Sequence, residues 1–122
     1  MRIYVTHSKD FDYKDKLYEP IEKSGLAAEH EFVLLYKNGE PQYSSKEKIR
    51  DCNLLIAEAT KHSTGSGVEI GWANAFNKPV VVISEYGARI SRSLQFVTKD
   101  IKTYKNAEEL LSHIGEAIKQ YS

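Results

Sequence analysis

The sequence predicts an α/β protein whose parallel sheet is covered by helices on both faces. Short β-rich runs alternate with segments of helical periodicity along the chain, and such alternation is typical of parallel sheets. Two of the runs, residues 53–57 and 80–84, are almost continuously apolar, as strands buried on both faces are. The 122 residues suit one domain, residues 1–122.

The N-terminal region predicts the first strand and the first helix. Residues 3–5 are β-rich and are followed by a polar turn at residues 6–8. Residues 11–24 then repeat apolar side chains at helical spacing before a glycine, which indicates a helix with a glycine stop. Pro20 is expected to kink or shorten this helix, because proline has no amide N–H.

A second strand, a loop and a short helix follow. Residues 31–35 are β-rich, and residues 36–44 are rich in turn-forming residues, which predicts a loop. The run at 45–51 predicts a short helix with Ser44 or Ser45 as its N-cap. These elements lead into the apolar strand at 53–57.

The second half of the chain alternates in the same way. A Gly-Ser-Gly turn at residues 65–67 opens a helix that continues to Phe76, and the apolar strand at 80–84 comes next. Residues 101–104 predict a weaker fifth strand. Residues 107–121 carry leucine and isoleucine at helical spacing, which predicts a closing helix.

Together these elements predict a flavodoxin-like three-layer sandwich, with a parallel sheet of about five strands in the order 2-1-3-4-5. In open parallel sheets, ligands bind beyond the carboxyl ends of the strands, at the point where the strand order reverses. That point lies between strands 1 and 3. The sequence therefore predicts one pocket there, surrounded by Thr6, His7, Ser8, Gly65 and Gly67.

Charge and composition exclude several kinds of protein. Lys plus Arg number 17 and Asp plus Glu number 17, so the chain lacks the basic character of a nucleic-acid binder. A single cysteine, Cys52, excludes an internal disulfide and a cysteine-rich zinc site, and the histidine spacing matches no zinc signature. No apolar run approaches the roughly 20 residues that span a bilayer. We expect a cytoplasmic protein with no metal, cofactor, nucleic-acid or membrane partner.

Glu69 is the candidate catalytic residue. Trp72, Ala73 and Phe76, which follow it by three, four and seven positions, share its helix face and are apolar. The carboxylate is therefore predicted on the inward-packing face, over the switch point, where a half-buried acid is a candidate for chemistry. A helix-terminal acid favoured by the macrodipole is the simpler interpretation, although it explains the residue type and not its direction.

The segment before Glu69 is a candidate ligand loop. Ser63, Gly65 and Gly67 are small, so backbone N–H groups can approach a phosphate or a sugar hydroxyl near the helix N-terminus. Glu58 ends the third strand at the same crevice and is interpreted as a binding residue that orients the loop backbone. Tyr36 and Tyr43, in the loop at 36–44, are candidates for stacking on a base.

The run at residues 51–83 resembles the nucleoside 2-deoxyribosyltransferase family and its relatives that hydrolyse deoxynucleoside monophosphates. The shared pattern is an apolar strand ending in Ala57-Glu58, then Ser-x-Gly-x-Gly at 63–67, then Val68-Glu69-Ile70-Gly71 with Ala73, and a Lys-Pro before the next strand. It covers about a third of the chain. Tyr4 and Ser8 match the family's first strand and turn, with His7 where glycine is frequent.

This resemblance implies a function and a set of roles. Glu69 would be the nucleophile that cleaves or transfers an N-glycosidic bond of a nucleoside or nucleotide, and Tyr4 would orient it. A strand tyrosine packed in the core is an equally good interpretation of Tyr4. The family's helper aspartate is replaced here by Ser45, which puts catalysis in doubt. The resemblance also implies a homodimer or higher even oligomer in which Ser91 or Ser93 completes the partner's site.

A second resemblance supports different functions. The run at residues 4–25 is similar to the opening of TIR domains, some of which cleave NAD with a glutamate while others only bind partners. The alternatives are therefore a TIR-like interaction module or NAD-cleaving domain, and a nucleotide-binding domain without turnover. Glu69 and the glycine segment favour the transferase relatives, whereas Ser45 favours a binder.

Overall fold

Five parallel strands form one sheet, and the predicted class and strand order are confirmed. The computed structural model describes residues 1–41 and 44–122. The strands are β1 (Arg2–Thr6), β2 (Glu31–Val33), β3 (Leu54–Glu58), β4 (Val80–Glu85) and β5 (Ile101–Tyr104), in the order β2-β1-β3-β4-β5. The helices are α1 (Glu19–Lys23), α2 (Leu26–Glu29), α3 (Lys46–Arg50), α4 (Thr64–Ala75) and α5 (Ala107–Tyr121).

Strand β1 lies between β2 and β3 in the sheet. Tyr4 is opposite Val33 of β2 and Leu55 of β3, so β1 is hydrogen-bonded on both sides. The strand order reverses between β1 and β3. Their carboxyl ends, at Thr6 and Glu58, therefore flank the switch point.

The sheet separates two apolar layers, because side chains alternate along each strand. Leu54 and Ile56 of β3 face the layer that contains α1 and α5. Leu55 and Ala57 face the opposite layer, which contains α3 and α4. Tyr4 belongs to the α4 layer, so its side chain points toward the helix that carries Glu69.

The first helical segment is shorter and less regular than predicted. A π-helical turn, Lys14–Tyr18, passes directly into α1, and Pro20 lies in the first turn of α1. Because proline has no amide N–H, the helical hydrogen bonding is interrupted near this junction, which agrees with the expected shortening. The short helix α2 after Gly25 was not predicted, and neither was the 3-10 turn Arg92–Phe96 between β4 and β5.

Helix α4 begins earlier than the glycine pattern predicts. Ser63 is the N-cap, and its side-chain oxygen accepts a hydrogen bond of 3.2 Å from the Ser66 backbone N–H. Gly65 and Gly67 therefore lie within the first turns of the helix and not in a preceding loop. A serine cap stabilises a helix by about 1 kcal/mol, enough to offset the cost of a glycine in its first turn.

Within the described ranges, no helix is both long enough and apolar enough to cross a membrane.

Candidate active site

A cavity of about 730 Å³ opens at the carboxyl edge of the sheet, between the segments that follow β1 and β3. Ser8 lines it from the first segment, and Ser63 and Gly65 line it from the start of α4. Glu69 faces the same cavity from the second turn of α4. The structure thus brings Ser8 and Gly65 into one site, where the predicted topology puts them.

The Glu69 carboxylate is held by two hydroxyl groups of strand β1. The Tyr4 hydroxyl donates to Oε2 at 2.5 Å, and the Thr6 hydroxyl donates to Oε1 at 2.7 Å. Tyr4 and Thr6 are two positions apart on the strand, so both side chains point toward α4. The carboxylate is half-buried and retains lone pairs toward the cavity.

Proton counting fixes the direction of the adjacent hydrogen bond. Thr6 Oγ1 is also 3.0 Å from Ser66 Oγ. A threonine hydroxyl has one proton, and an ionised carboxylate only accepts, so Thr6 donates to Glu69 and accepts from Ser66. Ser66 of α4 therefore supports the Glu69 carboxylate indirectly, through the Thr6 hydroxyl.

Tyr4 is a donor that keeps its proton. Burial, and then the negative charge of Glu69, raise the pKa of Tyr4 far above its ordinary value. A hydrogen bond from Ser45 acts in the opposite direction. Ser45 is buried, precedes α3 and lines the cavity, so the position where the resembled family has an aspartate does face the site.

His7 is buried in a group of three tyrosine rings. Its ring stacks on Tyr13 with centroids 4.4 Å apart, and it makes edge contacts with Tyr18 and Tyr36. Nδ1 lies 3.0 Å from the Ser8 carbonyl, which can only accept, so Nδ1 carries the proton. Nε2 then accepts from the Tyr18 hydroxyl at 2.7 Å.

Burial favours this neutral imidazole by lowering the pKa of His7. Both ring nitrogens are engaged within the protein, although the ring lines the cavity. His7 is therefore placed as a rigid wall.

An apolar group of side chains forms another part of the wall. Leu35, Tyr36, Pro41 and Trp72 all line the cavity and are half-buried. Aromatic rings of this kind stack on flat heterocycles. Tyr43, the other predicted stacking residue, lies outside the described residues.

The remaining predicted residues lie elsewhere. Gly67, Ser91 and Ser93 line a neighbouring cavity of about 510 Å³, on the other side of the α4 N-terminus. Glu58 lines neither cavity. It is almost fully buried on the α5 side of the sheet, where it accepts hydrogen bonds from Thr60 and Tyr104.

Four contributors were not identified as site residues from the sequence. Ser66, Tyr13 and Tyr18 were assigned no role of their own. Trp72 was predicted only as an apolar residue on the inward face of its helix, and it lines the cavity. Only for Trp72 did a signal exist, because its three-residue spacing from Glu69 puts both on one face.

A metal site finds no support in the described part of the chain, where no three His, Cys, Asp or Glu side chains are grouped to hold an ion.

Comparison with known proteins identifies a shared fold. No protein-family model matches the chain, and no curated protein matches its sequence. Among solved structures, the chain is similar to the Clostridium botulinum CMP N-glycosidase BcmB, with a TM-score of 0.61 and 21% sequence identity. The alignment covers 94% of this chain and 98% of that one.

Proposed function

We propose that the chain cleaves the N-glycosidic bond of a nucleoside or nucleotide, with Glu69 as the nucleophile. The observation that carries this proposal is the Glu69 carboxylate, fixed by Tyr4 and Thr6 in the wall of a cavity of about 730 Å³. That volume is in the range of small-molecule sites. The similar fold of an N-glycosidase supports the reaction class.

The reaction proceeds in two displacements. A carboxylate oxygen of Glu69 attacks the anomeric carbon while the C–N bond breaks, which releases the base and forms a glycosyl ester. Water then attacks the same carbon and restores the carboxylate, or a second base does so in a transfer reaction. Tyr4 and Thr6 keep the nucleophile oriented, because each binds a different oxygen.

The other wall residues bind substrate. Ser8, Ser63 and Gly65 border the part of the cavity next to the N-terminus of α4, where backbone N–H groups and the helix dipole favour a phosphate or sugar hydroxyl. Tyr36 and Trp72 stack on the base.

A substrate panel tests the proposal. The protein is incubated with nucleosides, nucleoside monophosphates and NAD, and free base is measured by chromatography. We expect base release from at least one compound, and its loss in Glu69→Gln, which keeps the size of the side chain and removes its charge. Equal release by the wild type and Glu69→Gln would exclude Glu69 as the nucleophile.

A second candidate is a nucleotide-binding domain without turnover. The observation that favours it is Ser45, a buried cavity residue with a hydroxyl where the resembled family has an acid. Serine is a poor general acid. Calorimetric binding of a nucleotide without any base release would support this candidate over the first.

We further propose that two copies of the chain associate. Phe96 is 90% exposed and Val68, which lines the first cavity from α4, is 46% exposed, so apolar surface remains uncovered on both segments. Ser91 and Ser93 line the second cavity and are the residues proposed to reach the partner's site. Light scattering that gives a monomer mass at working concentration would contradict this.

A further inference from the structure

The cavity is poorly equipped to protonate a departing base. Tyr4 donates to Glu69 and has a strongly raised pKa, and His7 has its one proton on the Ser8 carbonyl. The Lys9 ammonium pairs with Glu40, which raises the pKa of Lys9. His62 also lines the cavity, and its Nε2 lies 2.8 Å from the Arg89 carbonyl, which can only accept, so Nε2 donates its proton there. These groups, which could otherwise transfer a proton, are thus held by partners within the protein.

The hydroxyl at Ser45 adds to this deficit. Ser45 is buried beside Tyr4 and lines the cavity, but an alcohol does not serve as a general acid near neutral pH. Besides Glu69, the described wall contains one further carboxyl group, that of Asp10, which is exposed to solvent. Residues 42 and 43, which lie outside the described ranges, are a glutamine and a tyrosine, so neither has a carboxyl group.

The same wall suits a positively charged ring. Two carboxyl groups, of Asp10 and Glu69, line the cavity against one lysine, which is already paired with Glu40. Tyr36 and Trp72 also line it, and each ring already has a lysine ammonium over it, Lys9 at 5.4 Å from the Tyr36 centroid and Lys46 at 5.8 Å from the Trp72 centroid. Both lysines are exposed, so a flat cationic base would take their place on rings that attract positive charge.

We propose that the preferred substrates are N-glycosides whose base is already a cation, such as N-ribosylpyridinium nucleotides. This rests on the proposed function of Glu69. A neutral base such as cytosine leaves as an anion unless a proton reaches it, whereas a pyridinium leaves as a neutral molecule. The missing acid is then no obstacle.

The chemical step balances without an acid. A Glu69 oxygen forms a bond to the anomeric carbon, and the electron pair of the C–N bond moves to the ring nitrogen and cancels its positive charge. In the second step water forms a bond to the anomeric carbon, the carbon–Glu69 bond breaks, and one proton passes to solvent. The products are the neutral pyridine base, the free sugar phosphate and a proton.

A matched pair of probes tests the proposal. Nicotinamide mononucleotide and CMP share ribose and a 5′-phosphate and differ in the charge of the base. We expect the wild type to release nicotinamide at least about 10²-fold faster than cytosine, since general acid catalysis contributes about 10²–10⁴-fold where it is needed. Nicotinamide riboside and cytidine repeat the comparison without phosphate.

Variants at the serine sharpen the test. Ser45→Asp supplies an acid and is expected to raise the ratio of CMP cleavage to nicotinamide mononucleotide cleavage by at least tenfold. Ser45→Asn introduces a side chain of nearly the same shape as aspartate, but its amide is not a general acid. We expect this variant to leave the ratio low. Tyr4 is retained in both variants, and circular dichroism establishes that each one folds.

The outcomes distinguish the preference for cationic bases from the proposed N-glycosidic cleavage on which it rests. Cleavage of CMP at a rate equal to or above that of nicotinamide mononucleotide would overturn the preference for cationic bases and leave N-glycosidic cleavage intact. The same conclusion follows if Asp10→Asn or His62→Gln abolishes CMP cleavage, since the replaced residue would then be the acid. No release from either pair overturns this inference, and no release from any compound of the wider panel overturns the proposed function as well.

Discussion

Two glutamates at the same edge of the sheet have nearly the same hydrogen-bond donors. Glu69 accepts from the hydroxyls of Tyr4 and Thr6, and Glu58 accepts from the hydroxyls of Tyr104 and Thr60. They lie on opposite faces of the sheet. One faces the cavity, and the other is enclosed.

The comparison indicates what would distinguish the proposed reactive carboxylate, Glu69, from the structural one, Glu58. Glu58 is 1% exposed and also accepts the Thr60 backbone N–H, so its donors come from one closed pocket of the protein. Thr60 in turn accepts the Glu85 N–H, which ties the end of β3 to β4. Glu69 is half-buried, and its remaining acceptor capacity faces open volume. Residue type and tyrosine contact are shared, so access to the cavity is the deciding difference.

The largest effect expected is the loss of base release in Glu69→Gln. The amide keeps the volume of the side chain but cannot form the glycosyl ester, so the rate should fall by orders of magnitude. Glu58→Gln is the matched control at the other carboxylate, and we expect it to retain most of the base release. Chromatography of free base under identical conditions measures both. Similar losses in the two variants would mean that the two glutamates do not differ in role.

The next largest effect is expected when the tyrosine that donates to each glutamate loses its hydroxyl group. Tyr4→Phe removes one of the two donors that fix the Glu69 carboxylate and leaves only Thr6, and a nucleophile misplaced by about 1 Å can lose about 10²-fold in rate. We expect a fall of that size in kcat, with KM changed less. Tyr104→Phe should leave kcat close to the wild-type value. A fall in kcat as large in Tyr104→Phe as in Tyr4→Phe would contradict the assignment.

The sequence predicted well which strands and which helix form the candidate site. Apolar runs at 53–57 and 80–84 leave few places for those strands except the centre of a parallel sheet, and the switch point follows from the strand order. Helical spacing also gave the inward direction of Glu69, because Ala73, four positions later, is buried in the α4 layer.

The roles of individual polar residues were harder to predict. Glu58 was assigned to the crevice because it ends its strand, yet alternation along β3 puts it on the face of Leu54 and Ile56. The tyrosines around His7 come from positions 13, 18 and 36, and no local pattern indicates that they meet. Such contacts depend on the tertiary arrangement, which periodicity does not encode.

A smaller effect is expected on stability when the enclosed glutamate loses a donor. Tyr104→Phe removes the hydroxyl that donates to Glu58, and a hydrogen bond to a charged group contributes about 1.5–3 kcal/mol. We expect the free energy of unfolding in urea to fall by about 2 kcal/mol. Tyr4→Phe should cost less, because Glu69 is half-buried and water can reach it. Equal losses would show that both carboxylates are enclosed to the same degree.

The smallest effect is a change in how stability depends on pH, and its sign follows from Glu58. Burial raises the pKa of Glu58, and the hydrogen bonds from Tyr104 and Thr60 only partly oppose the rise. Between the unfolded value of about 4.3 and the higher folded value, the folded protein holds more protons than the unfolded chain. Its unfolding free energy therefore decreases as pH rises through that window.

The measurement compares urea unfolding of the wild type and Glu58→Gln from about pH 4 upward. Glutamine does not titrate, so the wild-type value minus the variant value should fall as pH rises and then level off. Glu40→Gln is a control of opposite sign: the Lys9 ammonium lowers the pKa of Glu40, so its contribution is lost as pH falls. That control effect should be the weaker one, because the Lys9–Glu40 pair is exposed and screened by water. A difference for Glu58 that rises with pH would mean that its hydrogen bonds outweigh its burial, and the contrast between the two carboxylates would then rest on the cavity alone.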